Sequence, residues 1–142
     1  MLKNIPTILS PELLKALMEM GHGDTLVIAD GNFPGASMAQ RLIRLDGHGA
    51  TALLDAVLAL FPLDAYVETP VTLMAVTPGD PVKTPIWEDY RRVVEKHAPG
   101  ARIGFAERFA FYGLAKQAYC VVQTGETALY ANILLKKGVV TG

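Results

Sequence analysis

The spacing of apolar residues along the chain alternates between a helical and a strand-like period. Residues 11–20 carry apolar side chains three and four positions apart, which predicts a helix with one apolar face. The apolar positions of this face are Leu13, Leu14, Leu17 and Met18. Ser10 and Pro11 suit the start of that helix, and Gly21 suits its end. The next apolar run, "TLVIA" at 25–29, is short and bounded by turn residues, so it predicts a buried strand.

The rest of the chain repeats this alternation. Further strands are predicted at 41–45, 71–76, 101–106, 119–124 and within the terminal apolar run 132–140. Further helices are predicted at 50–61, 86–97 and 108–118. The alternation predicts a layered α/β fold with a largely buried sheet, and 142 residues favour one domain, residues 1–142. Polar residues in such a fold collect in loops at the strand ends, where a ligand site is expected.

Composition narrows the classes of partner. Hydrophobic residues make up 51% of the chain and charged residues 19%, so we expect some apolar side chains to cover contacts between subunits. The formal net charge of -1 provides no basic surface for nucleic acid or for an anionic membrane. Asp55 and Asp64 interrupt the most apolar stretch, which stays short of the ~20 residues that span a bilayer. The single cysteine, Cys120, is expected to be a buried core residue of a cytoplasmic protein.

Two ionisable residues flank the strand at 25–29. His22 lies between glycines in "GHGD", where a ligand can closely approach an imidazole that exchanges protons near neutral pH. Asp30 follows the strand in "ADGNFPG", where its carboxylate can accept hydroxyl hydrogen bonds or fix an imidazole tautomer. If both ends of the strand face one cleft, the two residues form a site. The alternative is two ordinary turns at opposite ends of a core strand.

The motifs of metal and nucleotide sites are missing. His22, His48 and His97 lack the spacing of metal ligands. The segment "DGNFPG" lacks the lysine and serine of a phosphate loop, and "GHGD" does not fit the dinucleotide-binding pattern GxGxxG. No nucleophile elbow is present either. We therefore expect no metal ion and no nucleotide site.

A second group of polar residues follows in the C-terminal part. Tyr130 and Asn132 in "TGETALYANILLKKG" are two positions apart, so on a strand they share one face, where a phenol and an amide suit sugar hydroxyls. The alternative is a solvated strand edge. Arg108 precedes Phe109 in "ERFAFY", and such a pair can clamp and stack a polar ring, although the segment also fits an ordinary helix start.

Several long segments together resemble one known family. They are "LSPELLKALMEMGHGDTLVIADGNFP", "LIRLDG", "LFPLDAYVETPVTLM", "ERFAFY" and "TGETALYANILLKKGV", in family order between Met1 and Val139. With these segments, the chain resembles the L-fucose mutarotase branch of the ribose pyranase / fucose mutarotase (RbsD/FucU) family. Any one segment is a weak signal, whereas their coincidence over nearly the whole chain is specific.

The resemblance carries expectations about fold, activity and site. It implies a three-layered α/β/α domain with a mixed, mostly buried sheet, of the RbsD-like kind. It implies a cytoplasmic isomerase that interconverts the α and β anomers of L-fucose, or of a closely related monosaccharide, without a cofactor. The family forms ring-shaped oligomers, commonly homodecamers, with sites between neighbouring subunits. By position, His22 matches the catalytic histidine, and the sugar-binding positions are Asp30, Arg108, Tyr130 and Asn132.

Two segments place the chain in the fucose branch. The stretch "AERFAFY" stands where ribose pyranases usually carry a histidine, and "LFPLDAYVETP" is longer than their insert. The chain departs from the branch pattern at Gly31, where alanine is usual, and at Gly113, where an acidic residue is common. Two alternatives stay open: a ribose-type pyranase that interconverts pyranose and furanose forms, and a non-catalytic monosaccharide-binding or transport-accessory protein.

Overall fold

The computed structural model describes all 142 residues, which form five helices, six strands and the loops that connect them. The helices are α1 (Pro11–Glu19), α2 (Gly35–Met38), α3 (Ala50–Leu58), α4 (Ile86–His97) and α5 (Arg108–Gln117). The strands are β1 (Thr25–Ala29), β2 (Leu42–Leu45), β3 (Val71–Met74), β4 (Ile103–Ala106), β5 (Cys120–Thr124) and β6 (Ile133–Lys136). None of the helices combines the length and the apolar character that crossing a bilayer requires.

The six strands form one mixed sheet in the order β2-β5-β1-β6-β3-β4. Five strands run in the same direction, and β6 alone runs antiparallel, between β1 and β3. The carboxyl ends of the five parallel strands therefore lie at the same edge of the sheet as the start of β6. We call this the carboxyl edge. In open α/β sheets, ligands bind in the crevice outside this edge.

Side chains of the central strands alternate between two apolar layers. Leu26 and Ile28 of β1 face a layer that includes α1, α3 and α4, whereas Val27 and Ala29 face a smaller layer that includes α5 and α2. All four side chains are fully buried, because helices cover both faces of the sheet. That is why "TLVIA" is apolar throughout instead of alternating with polar residues. The predicted α/β/α fold with a mixed, mostly buried sheet is confirmed.

The first helix follows its prediction except at Met18. Ser10 caps α1, with its Oγ accepting a hydrogen bond from the N–H of Leu13 at 3.1 Å. Leu13 and Leu17 are buried against the core, but Met18 is 86% exposed. Met18 lies one turn after Leu14, on a neighbouring stripe that lines an apolar surface cavity. The predicted apolar face was therefore too wide.

The element boundaries differ from the prediction where apolar residues continue beyond a strand or helix. The helix predicted at 50–61 ends at Leu58, and Phe61 reaches the core from the turn that follows. The strand predicted at 71–76 ends at Met74, and the terminal strand spans only Ile133–Lys136. The four-residue helix α2 was not predicted, because so short a segment shows no periodicity. Tyr130 precedes β6 and does not lie on a strand.

Candidate active site

A cavity of about 300 Å³ opens at the carboxyl edge of the sheet. Asp30 lies directly after β1, Arg108 begins α5, and Asn132 directly precedes β6, so the topology brings three distant segments together. The other residues of the lining are Asn32, Phe33, Met74, Asp80, Tyr112, Leu129 and Tyr130. We call this cavity the Asp30 pocket. It contains four of the five site residues predicted from the sequence, and His22 is not among them.

Two of the larger cavities have a different chemical character. One, of about 740 Å³, is lined mainly by charged side chains of α4, such as Arg91 and Glu95. The other, of about 670 Å³, is mostly apolar and lies beside α1. None of the buried polar residues of the chain lines either of them. A third cavity, of about 430 Å³, is lined by one buried polar residue, Asp64. Two such residues, Asp30 and Asn132, line the smaller Asp30 pocket, which is therefore the candidate site for a polar ligand. Nowhere do three or more His, Cys, Asp or Glu side chains gather closely enough to hold a metal ion.

Asp30 is 4% exposed and is held by backbone donors. Its Oδ1 accepts a hydrogen bond from the N–H of Asn32 at 3.0 Å, and its Oδ2 accepts one from the N–H of Ala131 at 3.3 Å. Burial raises the pKa of the Asp30 carboxyl above its ordinary value of 3.8, and these N–H groups oppose the rise only in part. The carboxylate is thus fixed in direction and keeps lone pairs for hydroxyl groups of a ligand.

Asn132 is tied to Asp30 across the sheet. Its Oδ1 accepts a hydrogen bond from the backbone N–H of Asp30 at 2.8 Å. This bond fixes the orientation of the amide, because the oxygen is the only acceptor on the side chain. The amide nitrogen contacts the Sδ atom of Met74 at 3.9 Å. The Asn132 side chain also hydrogen-bonds to the Asp30 carboxyl, which opposes in part the rise in its pKa caused by burial. A thioether is a weak acceptor, so an amide N–H can still be donated to a ligand.

Tyr130 reaches the pocket from a turn with an unusual backbone conformation. Its φ angle is 55°, in the left-handed region that costs a residue other than glycine roughly 1–2 kcal/mol. Two side chains of α4 hold this turn: Trp87 Nε1–H donates to the carbonyl of Tyr130 at 2.9 Å, and the hydroxyl of Tyr90 donates to the carbonyl of Ala131 at 2.6 Å. Neither Tyr130 nor Asn132 lies on a strand, so the prediction that they share a strand face was wrong. Both side chains line the pocket because α4 holds the turn.

Arg108 is placed by the start of α5. Glu107 caps this helix by accepting a hydrogen bond from the N–H of Ala110 at 2.9 Å. The Nε–H of Arg108 donates to the hydroxyl of Tyr112 at 3.0 Å, and its guanidinium carbon lies 5.4 Å from the ring centre of Phe109. These contacts leave the two terminal nitrogens of the guanidinium without a protein partner. They can donate to a ligand in the pocket.

His22 lies at the other end of β1, next to a buried carboxylate. Its Nε2 is 3.1 Å from Oδ1 of Asp64, which is 3% exposed, whereas the His22 side chain is 46% exposed. The backbone N–H of Tyr66 and then the imidazole of His22 lower the pKa of the Asp64 carboxyl below its ordinary value. An ionised carboxylate only accepts hydrogen bonds, so Nε2 carries a proton. In the neutral imidazole, Nδ1 is then unprotonated and is the nitrogen that can accept a proton.

The structure does not bring His22 and Asp30 together within one chain. Gly23, Asp24 and the five residues of β1 separate them, and β1 alone spans roughly 16 Å as an extended strand. Asp64 was not predicted as a partner of His22, because the sequence pattern marks this aspartate only as an interruption of an apolar stretch. Its position in "LFPLDAY", between apolar residues, was the available signal, since a carboxylate buried among such residues needs a charged or hydrogen-bonding partner.

Comparison with known proteins gives consistent matches over nearly the full length. Residues 3–140 match the RbsD / FucU transport protein family. The chain is 49% identical to fucose mutarotase from Homo sapiens, covering 97% of this chain and 94% of that protein. FucU from Bifidobacterium longum is 55% identical, with a TM-score of 0.95 over 98% of this chain and 100% of that one.

Two structures bound to sugars differ in how far they resemble this chain. The fucose mutarotase from Streptococcus pneumoniae, in complex with L-fucose, is 52% identical, with a TM-score of 0.93 over 99% of this chain and 100% of that one. Bacillus subtilis RbsD, in complex with D-ribose, is 24% identical, with a TM-score of 0.72 over 94% of this chain and 95% of that one. At that identity, the second likeness supports the fold alone.

Proposed function

The chain belongs to the RbsD / FucU transport protein family, and from that premise we propose that it is an L-fucose mutarotase. The reaction is the interconversion of the α and β anomers of L-fucose. The observation that carries this proposal is that fucose mutarotases match the chain at about half of its positions and over nearly its full length. The Asp30 pocket supports it, because carboxylate, amide, phenol and guanidinium groups line the same small cavity as Phe33 and Met74. Such a cavity suits a sugar with several hydroxyls and one methyl group.

Anomer exchange is a proton-transfer reaction of a hemiacetal. A proton leaves the anomeric hydroxyl, the bond between C1 and the ring oxygen breaks, and the ring oxygen receives a proton. C1 becomes an aldehyde carbon, the C1–C2 bond rotates, and the ring closes on the other face of the carbonyl. No oxidation state changes and no proton is consumed. A positioned acid/base group accelerates such a step by roughly 10²–10⁴-fold.

We assign the acid/base role to His22, where Nδ1 of the neutral imidazole accepts the proton of the anomeric hydroxyl and delivers it to the ring oxygen, and the transfer runs in reverse on reclosure. Asp64 supports this role by accepting the Nε2 proton at 3.1 Å, which fixes the ring and its tautomer. Nδ1 is then the nitrogen that exchanges a proton with the sugar. Almost half of the side chain is exposed, so the imidazole is accessible to a substrate held by another subunit.

The other predicted residues hold the sugar in this proposal. Asp30 accepts hydrogen bonds from sugar hydroxyls, while Arg108 and the amide nitrogen of Asn132 donate to them. Tyr130 provides a hydroxyl in the same pocket. Each of these side chains already makes a hydrogen bond to another group of the protein. Little side-chain conformational freedom is therefore lost when the sugar binds.

The proposed site joins two copies of the chain. His22 and the Asp30 pocket lie at opposite ends of β1, so His22 of one subunit must meet the pocket of a neighbour. We propose a ring-shaped homodecamer, in which each subunit gives and receives one such contact, in the cytoplasm. Exposed apolar side chains such as Leu2, Leu60 and Phe109 are suited to lie in contacts between the subunits.

The test is anomer exchange measured by saturation-transfer NMR on the anomeric protons of L-fucose. We expect exchange with the wild-type protein and none above buffer with His22→Ala. His48→Ala is the matched control, because His48 is also flanked by two glycines and does not line the pocket. Loss of exchange in both histidine variants would contradict the assignment of His22.

The same measurement distinguishes the two alternatives. Faster interconversion of D-ribose forms than of L-fucose anomers would indicate a ribose-type pyranase. Saturable L-fucose binding with exchange no faster than in buffer would indicate a sugar-binding protein without catalysis.

A further inference from the structure

The hydroxyl of Tyr130 is bound by protein groups on two sides. It donates to Oδ2 of Asp80 at 2.7 Å and accepts a hydrogen bond from the backbone N–H of Thr77 at 3.4 Å. A phenol has one hydrogen to donate and two lone pairs with which to accept. The hydrogen and one lone pair are thus occupied, which leaves one lone pair for a ligand. Asp80 itself lines the pocket beside Tyr130.

The turn that carries Asp80 fixes this carboxylate. The N–H of Asp80 donates to the carbonyl of Thr77 at 3.0 Å, with Pro78 second and Gly79 third in the turn, and Gly79 has a φ of 88°. Proline at the second position and a positive φ at the third are typical of a type II turn. The second carboxylate oxygen, Oδ1, accepts a hydrogen bond from the N–H of Val82 at 3.1 Å. One oxygen therefore holds the turn, and the other faces Tyr130.

We propose that Asp80 is a positioning residue that makes Tyr130 a hydrogen-bond acceptor toward the sugar. An ionised carboxylate cannot donate, so the phenolic hydrogen points to Asp80 and away from the substrate. The sugar must then bring a hydroxyl hydrogen to Tyr130. This inference rests on the proposed function and adds to it the direction of one contact in the site.

The direction of this contact affects specificity. A sugar whose hydroxyl is absent or O-methylated at the position facing Tyr130 cannot donate, and it leaves the lone pair of the phenol unpaired in the pocket. Sites that bind a substrate hydroxyl through a directed hydrogen bond discriminate strongly against analogues that lack it. Asp80 therefore contributes to specificity through Tyr130, without itself having to touch the sugar.

Asp80→Asn tests the proposal with little change in shape. The Asn oxygen can still accept from Val82, while the Asn nitrogen replaces Oδ2 and donates to the phenol. The phenolic hydrogen is then released toward the pocket, and Tyr130 becomes a donor to the sugar. The sugar hydroxyl that donated to Tyr130 then faces a donor and must turn its own hydrogen elsewhere. We therefore expect KM for L-fucose to rise roughly three- to tenfold, the range of one weakened hydrogen bond, with kcat changed by less than about twofold. The values come from the dependence of anomer exchange on L-fucose concentration.

A double-mutant cycle with Tyr130→Phe separates positioning from a direct or structural role. In the Tyr130→Phe background, Asp80→Asn should leave KM unchanged, because the phenol through which it acts is gone. An unchanged KM in the single variant, an equal rise in both backgrounds, or a change in kcat alone overturns the proposal. Asp89→Asn serves as the control, because it makes the same carboxylate-to-amide change at an exposed position of α4 that does not line the pocket.

Folding and function are checked separately. Thermal melting shows whether Asp80→Asn folds, and if it does not, Asp80→Ser takes its place, because a short hydroxyl can hold the turn at Val82 without reaching the phenol. Wild-type protein without exchange on L-fucose overturns the proposed function and this inference with it. Active wild-type protein with a normal KM in Asp80→Asn overturns this inference alone.

Discussion

His22 and Asp30 flank the same strand and lie at its opposite ends. Asp30 belongs to the pocket at the carboxyl edge, and His22 pairs with Asp64 at the other end of β1. A mechanism that needs both residues at one sugar therefore needs two copies of the chain. The contact between the two copies would join unlike surfaces, as the proposed ring requires.

Mixed oligomers test this arrangement. His22→Ala and Asp30→Asn should each lose most anomer exchange, because each removes one half of every site. Refolding the two variants together in equal amounts should restore about a quarter of the wild-type rate, since random assembly makes one site in four from an intact half of each. The rate is measured by saturation-transfer NMR on L-fucose, and light scattering checks that the oligomers re-form. No recovery in oligomers of normal size would contradict a shared site.

The pH dependence of sugar binding is expected to report on Asp30. Burial raises its pKa above 3.8, so on acidification it takes up its proton at a higher pH than an ordinary aspartate. The neutral form is a poorer acceptor for sugar hydroxyls, and KM for L-fucose should therefore rise as the pH falls through that raised pKa. We would measure KM from anomer exchange, and the Kd of L-fucose by calorimetry, between about pH 4 and pH 7. The comparison of Kd uses Asp30→Asn, the variant that lacks this titration. A wild-type profile that matches the profile of the variant would argue against the role of Asp30.

Trp87 and Tyr90 are expected to act on sugar binding through the turn at Tyr130. Trp87→Phe removes the donor to the carbonyl of Tyr130, and Tyr90→Phe removes the donor to the carbonyl of Ala131. Both changes should raise KM more than they lower kcat, because the turn relaxes from its left-handed conformation. Tyr90 is fully buried, so Tyr90→Phe should also lower the free energy of unfolding by about 1–3 kcal/mol. Urea unfolding measures the second effect, and a normal KM in both variants would contradict the first.

Two glycines should respond to alanine with opposite signs. A Cβ at Gly113, within α5, meets no atom within 4 Å, so Gly113→Ala should stabilise the protein by about 0.5–1 kcal/mol through helix propensity. A Cβ at Gly125 falls 1.9 Å from the backbone oxygen of Asp46, so Gly125→Ala should destabilise it by about 1–3 kcal/mol or more. Thermal and urea unfolding of the two variants provide the comparison. Equal effects would show that space around the Cβ does not decide the outcome.

The order and type of the predicted elements agree with the structure because the signals that specify them are local. The N-cap at Ser10, the apolar run of β1 and the periodicity of α4 all arise within a few neighbouring residues. The predictions were wrong where burial continues without regular structure, as at Phe61. They were also wrong where a long-range contact decides a conformation, as at Tyr130, whose turn is held from α4.

The sequence predicted only part of the candidate site. The resemblance selected His22, Asp30 and Asn132 by position, but no local pattern indicated the partners that hold them. Asp64 and Asp80 were missed because each lies more than 40 residues from the side chain that it contacts, His22 and Tyr130 respectively.

The sequence by itself determined the alternation of helices and strands and the α/β class, because apolar periodicity, caps and turn residues act over short distances along the chain. Several long segments together indicated the family and, through it, the α/β/α layering. Only the tertiary structure decided which side chains meet. The antiparallel insertion of β6 between β1 and β3 places Asn132 against Asp30, which lies 102 positions away in the chain. The same sheet separates His22 from Asp30, although only one strand lies between them. An extended strand keeps its two ends apart, so residues close in sequence face different surfaces, and the connections of the sheet bring distant residues into one pocket.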